Sequence, residues 1–171
     1  MNAPLLRLFF ALPCPTDCAE SIERWRASTA VTGTVVAPAN LHVTLVFLGA
    51  QPEQRLPQLI ELASLIRLPA FELNLNRLDL WPDGLLHLAP SHTPDGLVQL
   101  AGALRQRLQA AEFAFEQRAY RPHLTLARQS GMPEIVSPPS IRWVVREFGL
   151  FSSEHANLGV QYRALASWPL V

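Results

Sequence analysis

The segment LHVTLVFLG, residues 41–49, decides the fold, because it carries the alternation of a strand and breaks it in one informative way. Side chains alternate between the two faces of a strand, so Leu41, Val43, Leu45 and Phe47 share one face while His42 and Thr44 share the other. The first is a core face. The second sets an imidazole beside a hydroxyl, a costly insertion unless both groups are paired or used. A single His-x-Thr is common, and its imidazole is ordinarily just hydrogen-bonded within a packed sheet. The chain holds a second copy, however: PHLTLAR, residues 122–128, in which His123 and Thr125 oppose Leu124 and Leu126. Two apolar strands bearing the same polar pair at the same spacing point to one shared site.

Outward from these two segments, strands and helices alternate. RLFFAL reads as a first strand. The D-x-x-E pair Asp17 and Glu20 predicts the cap of a helix running from Asp17 to about Ser28, with Ile22 and Trp25 facing inward. Leu56, Leu59, Ile60, Ala63 and Ile66 recur at helical spacing between about Glu53 and Arg67, and Pro57 must then fall in the first turn. FELNLNRLDLW and GLLHLAP read as a strand pair around the turn Pro82-Asp83-Gly84. A third helix is predicted from about Asp95 to Ala111. GMPEIVSPPS, residues 131–140, reads as an irregular connection, and WVVREFGLFSS and YRALASWPL as the closing strands. The order strand, helix, His-x-Thr strand occurs twice, once from LRLFFALPCPTD and once from GLLHLAPSHTPD. That weak repeat predicts a single two-lobed unit over residues 1–171, with both His-x-Thr faces lining a shared cleft.

Composition narrows the classes. A chain of 171 residues, 49% hydrophobic and 16% charged, is large enough to bury a real core. Its apolar runs are strand-sized, well short of the roughly 20 residues that span a bilayer, and Arg7 interrupts the N-terminal one. Cys14 and Cys18 form neither a disulfide framework nor a zinc pair, so free thiols and a cytoplasmic location are expected. A formal charge of zero excludes a long polyanion-coating surface and leaves room for a short nucleic-acid contact. All 14 basic residues are arginines, suited to bidentate phosphate contacts, and Arg105, Arg107, Arg118, Arg121 and Arg128 make the neighbourhood of the second motif locally positive. His87, His92 and His155 lack a partner motif and read as structural or surface residues.

NLHVTLVFLG and RPHLTLAR resemble the paired H-x-T-x motifs of the two-histidine phosphoesterase superfamily. RLFFAL, VREFGLFSS and YRAL are similar to its bacterial RNA 2′,3′-cyclic phosphodiesterase branch, also called 2′-5′ RNA ligases, and the likeness runs along nearly the whole chain. The resemblance implies an α+β, bilobal fold in which two antiparallel sheets face each other across a central cleft, with helices packed outside. It implies hydrolysis of 2′,3′-cyclic phosphate ends to 2′-phosphomonoesters, and reversible 2′-5′ joining of tRNA halves. The substrates would be RNA 3′ ends or tRNA fragments, or small cyclic nucleotides, and the protein a monomer. Carried over by position, the proton donor falls on His42, the proton acceptor on His123 and the phosphate-binding hydroxyls on Thr44 and Thr125, while Arg128 matches a basic residue following the second motif.

The chemistry of these residues agrees. In-line opening of a cyclic phosphodiester needs a base to activate water and, on the far side of phosphorus, an acid to protonate the departing alkoxide. Two imidazoles with an unperturbed pKa of about 6.5 supply both forms near neutrality. Threonine hydroxyls can donate to the non-bridging oxygens as charge grows there. Neither a cofactor nor a metal is called for: no Asp or Glu lies within either motif, and hard divalent cations prefer oxygen ligands. Arg128 is a candidate phosphate contact, yet strict alternation groups it with Leu124 and Leu126, so it reaches the cleft only if the strand ends or twists near Ala127. Phe9 is a candidate platform for a base, with core packing as its other reading. The rival functions are a metallophosphoesterase, which a chelator would inactivate, and a non-catalytic RNA-binding module, which would bind without turnover.

Overall fold

The computed structural model describes residues 2–134, 137–157 and 159–171. In chain order the elements are β1 (Leu5–Pro13), α1 (Thr16–Ala27), β2 (Thr34–Val35), β3 (His42–Pro52), α2 (Leu56–Ser64), β4 (Phe71–Leu75), β5 (Arg77–Leu80), β6 (Leu86–Ala89), α3 (Asp95–Ala110), β7 (Leu124–Arg128), β8 (Ile141–Val145), β9 (Glu147–Ala156) and β10 (Gly159–Pro169). Eight strands form one sheet in the order β10-β9-β1-β3-β7-β6-β5, with β2 also paired to β7, and β4 and β8 form a second sheet. All pairings are antiparallel. This is the expected α+β class with two antiparallel sheets.

The two His-x-Thr strands are neighbours. β3 and β7 share a single pair, Val43 opposite Leu124, and then diverge, so the large sheet has two arms joined at one seam. The segment that follows α3 fills the split. Glu116 N–H donates to Phe47 O at 2.9 Å, Tyr120 O–H to Thr44 O at 3.0 Å and Gln51 Nε2 to Ala114 O at 2.9 Å, satisfying edge groups that no strand reaches. On the other side of the seam β2 takes over, setting Thr34 against Arg128. Gly33 makes that approach possible: its φ is +79°, and a Cβ there would stand 2.2 Å from Arg128 O. A contiguous core forms on one face of the sheet. Leu8, Phe10 and Leu12 of β1, Val43 and Leu45 of β3, and Leu124 and Leu126 of β7 are buried together with Ile22 of α1, Leu59 of α2 and Leu97, Leu100 and Leu104 of α3.

Several elements differ from the sequence expectation. FELNLNRLDLW breaks at Asn76: β4 leaves to pair with β8, while β5 pairs with β6. There the Asn76 side chain bonds Ser91 instead of extending a ladder. WVVREFGLFSS divides likewise at Arg146, between β8 and β9. The first helix starts at Thr16, behind Pro15, with no side-chain cap, because Pro15 carries φ −59° and leads the chain into the helix one residue early. The Asp17 carboxylate accepts the adjacent Cys18 N–H, at 2.9 Å. The second helix is Leu56–Ser64, preceded by a 3₁₀ turn at Glu53–Arg55, with Pro57 in its first turn. β2 is an addition. Within the connection at residues 131–140, Ile135 and Val136 lie outside the described residues.

Cys14 and Cys18 are both free thiols, and burial pushes them up to about 12 and about 11, which leaves them protonated and unreactive at neutral pH. No helix among the described residues is long and apolar enough to cross a membrane.

Candidate active site

Extending the Val43–Leu124 register by one residue in each direction sets His42 against Thr125 and Thr44 against His123. Two imidazoles and two hydroxyls thus surround one cross-strand pair on the face opposite the core. Both strands then bend in the same way. Opposite β1, Thr44 and Val46 face successive residues, so Leu45 is an extra residue; opposite β6, Thr125 and Ala127 do the same, so Leu126 is extra. Each is a β-bulge, and each turns two consecutive side chains, Leu45–Val46 and Leu126–Ala127, into the core. The parity of the next side chain is reversed on each arm, and in β3 a second bulge at Leu48 follows between Phe47 and Gly49. Phe47 and Arg128 therefore emerge on the face that carries the His-x-Thr pairs.

His42 Nδ1 donates to the Asn40 carbonyl at 2.7 Å, which fixes the tautomer: Nδ1 bears the hydrogen and Nε2 accepts from Thr44 Oγ1 at 3.0 Å. Asn40 is itself held, its Nδ2 donating to Val160 O at 2.8 Å and its Oδ1 accepting Tyr162 N–H at 3.4 Å. Phe9 and Tyr162 pack against the imidazole, each with ring centroids 5.0 Å away, the tyrosine edge-on. Burial lowers the His42 pKa to about 4, with the carbonyl bond opposing it and the charges of His123 and Arg128 reinforcing it.

His123 repeats the arrangement on the other arm. Its Nδ1 donates to Arg121 O at 2.8 Å, which puts the hydrogen on Nδ1 and leaves Nε2 as the acceptor nitrogen of the neutral ring. Trp81 stands edge-on at 4.6 Å and His87 at 5.5 Å, while the Arg121 guanidinium lies 4.7 Å from the Trp81 ring centroid. Burial lowers the His123 pKa below the usual imidazole range, opposed by the Arg121 carbonyl and helped by the charges of His87, Arg121 and Arg128.

The structure brings together His42, Thr44, His123, Thr125 and Arg128. The charge of Arg128 is felt at both imidazoles, and the bulge at Leu126 is what overrides the alternation that would have turned it away. Of the two readings open for Phe9, burial favours packing: it is 4% exposed, lies against His42, Phe151 and Tyr162, and with them lines a small pocket beside the imidazole. Of the two readings open for His87, structural or surface, burial fits the structural one. It lies opposite Thr125 on β6, is 2% exposed and packs against His123. Its only sequence signal is a lone polar residue between Leu86 and Leu88. Among the described residues no three His, Cys, Asp or Glu side chains gather as a metal-binding group.

The bulge in β7 is clamped from behind. Arg26 of α1, 8% exposed, donates through Nη1 to Leu126 O at 3.0 Å and Val36 O at 2.7 Å, and its Nη2 pairs with Glu23. Arg26→Met keeps the buried stem but leaves the Val36 carbonyl without this donor. It is expected to lower unfolding stability by about 2 kcal/mol in urea titrations. A variant as stable as the parent would show that the clamp carries no load.

Comparison with known proteins places this arrangement in context. The family model described as "2'-5' RNA ligase superfamily" matches residues 14–157. The RNA 2',3'-cyclic phosphodiesterase of Escherichia coli (strain K12) is 36% identical over 169 residues, covering 96% of each chain. The crystal structure of E. coli LigT in its apo form superimposes with a TM-score of 0.87 at 34% identity, over 98% of this chain and 99% of that one. The same protein complexed with 3'-AMP gives the same values.

Proposed function

The chain belongs to the 2'-5' RNA ligase superfamily, and from that membership we propose that it hydrolyses the 2′,3′-cyclic phosphate at RNA 3′ ends to a 2′-phosphomonoester, using imidazoles and no metal. The observation that carries this reading is the square of His42, Thr44, His123 and Thr125 around one cross-strand pair. His123 Nε2 takes a proton from water as it attacks phosphorus. His42 Nε2 delivers a proton to O3′ as the P–O3′ bond breaks, so phosphate stays on O2′. Thr44 and Thr125 donate to the non-bridging oxygens, and Arg128 balances the charge that grows there. With a 5′-hydroxyl in place of water as the nucleophile, the same forward steps form a P–O5′ bond as P–O3′ breaks and join two RNA ends through a 2′-5′ linkage; run backwards, they cleave that linkage and restore the cyclic phosphate. We take the whole chain as one duplicated unit: β1–α1–β3 and β6–α3–β7 follow the same order, and both of their closing strands bulge at the same position after the motif.

The direct test is incubation of the protein in EDTA with a short oligoribonucleotide ending in a cyclic phosphate, followed by identification of the phosphorylated hydroxyl. Full turnover to the 2′-phosphate is expected. A 3′-phosphate would exchange the roles of the two histidines, and activity lost in EDTA and restored by a divalent cation would replace imidazole chemistry with metal chemistry.

The depressed imidazole pKa values give this mechanism a pH signature. In the free protein His42 holds a proton only near or below pH 4, and His123 loses its own below the usual 6.5. A bound phosphate anion favours both imidazolium forms and raises both values. The profile of kcat/KM, which reports the free protein, is therefore expected to be bell-shaped with its optimum below pH 6.5, and that of kcat to peak at higher pH. Coincident profiles, or a flat one between pH 4 and 8, would contradict it.

A further inference from the structure

The cleft face does not end at Thr44. After the bulge at Leu45, Phe47 emerges on that face, partly exposed and outside the core cluster. It stands across β1 from Phe9, and the exposed Arg7 guanidinium lies 4.7 Å from its ring centroid. On the other side the segment after α3 runs alongside it. Between Phe47 and residues 114–118 lies an open groove of about 640 Å³, a volume in the range of small-ligand sites. Phe115 lines it under the Arg105 guanidinium, 5.9 Å from the ring. Arg118 stands at its rim, its side chain 88% exposed and paired with Glu116 at 2.5 Å.

This groove is tied to the candidate site at both ends. Glu116 N–H bonds Phe47 O, Tyr120 O–H bonds Thr44 O, and the same segment continues directly into His123. Phe47 lies five positions beyond His42 along β3, roughly 15 Å of strand, beyond the reach of the nucleotide whose phosphate lies between the histidines. Partly exposed aromatic rings flanked by guanidinium groups suit unpaired bases and the phosphates between them, because stacking is indifferent to sequence and arginine supplies the counter-charge. The neutral net charge of the chain limits such contacts to a few nucleotides.

We propose that the groove between Phe47 and residues 114–118 seats the one or two unpaired nucleotides that precede the 3′-terminal residue of a single-stranded RNA. The proposal rests on the reading of the cleft as a cyclic phosphodiesterase site and adds where the RNA chain upstream of the terminal nucleotide is held. Bases stack on Phe47, Arg7 faces the backbone, and displacement of Glu116 from Arg118 frees a second cation.

The experiment compares KM for a nucleoside 2′,3′-cyclic phosphate with that for tri- and hexaribonucleotides ending in the same ring. A matched hexamer with abasic residues at the two penultimate positions serves as the charge-only control. In parallel, binding of 2′-phosphate-ended oligomers is measured by fluorescence anisotropy. The trimer is expected to show a KM at least tenfold below the mononucleotide, most of which the abasic oligomer loses. The ratio should collapse towards one in Phe47→Ala, survive in Phe47→Trp and shrink in Arg7→Ala. Equal KM values for mononucleotide and trimer in the parent protein, an unchanged ratio in Phe47→Ala, or an abasic oligomer as good as the intact one would each overturn the proposal. The two readings fail separately: no turnover of any substrate, with length-dependent and Phe47-dependent binding retained, would remove the phosphodiesterase reading and keep the groove.

Discussion

His42→Ala and His123→Ala are each expected to lower kcat on a 2′,3′-cyclic phosphate by about 10³-fold or more, with the fold intact by circular dichroism. General acid or base catalysis contributes about 10²- to 10⁴-fold per group. Here both protons must move around the same phosphorus, so neither histidine can act well without the other. The double variant should therefore be scarcely worse than either single one, as for residues that act as a unit. Additive losses would mean that the two imidazoles serve separate steps. The stability of the variants provides an internal control with a definite sign. Both histidines have pKa values lowered by burial, so the native protein binds fewer protons than the unfolded chain, and their contribution to stability is present above about pH 6.5 and lost as pH falls towards 4. His42→Ala should blunt that acid loss while abolishing turnover, which separates a catalytic defect from a folding defect.

The second large effect falls on the threonines. Thr125→Val removes a hydroxyl that stands across the seam from His42, and loss of one donor to a developing oxyanion typically costs about 10²-fold in kcat. KM should move far less, because the interaction strengthens mainly in the transition state. Thr44→Val is expected to cost a similar factor with an added signature. In the free protein the Thr44 hydroxyl donates to His42 Nε2 at 3.0 Å, a bond that favours the neutral ring. Removing it should ease protonation of His42 and move upward in pH whichever limb of the kcat/KM profile reports His42, whereas Thr125→Val should leave that limb where it is. A Thr44→Val variant with near-parental kcat would remove this hydroxyl from the mechanism.

The paired motif was legible because it is local: one His and one Thr per strand, set by a period of two, in two apolar segments. The helices were legible for the same reason, through apolar residues at helical spacing. What the sequence hid are the features decided by a partner strand. Alternation alone could not place Arg128 on the cleft face, because the extra residue at Leu126 exists only relative to β6. His87 gave no pattern of its own, and it joins the site only because the hairpin sets it opposite Thr125. Asn76 and Arg146 divide what read as single strands, since membership of one sheet or the other depends on which edge is free to receive each half. Platform and packing both stayed open for Phe9, because periodicity gives the face of a side chain without saying what covers it.

The matched bulges have a consequence for how a nucleic acid lies in the site. A backbone that bends alike on both arms cannot by itself tell which way a polynucleotide runs. The first side chain past each bend does differ: an aromatic ring on the arm of His42, a guanidinium on the arm of His123. On the phosphodiesterase reading, unlike furnishings on like frames would give the cleft a sense of direction, so that the 5′ and 3′ sides of a terminus would meet different chemistry whatever the bases.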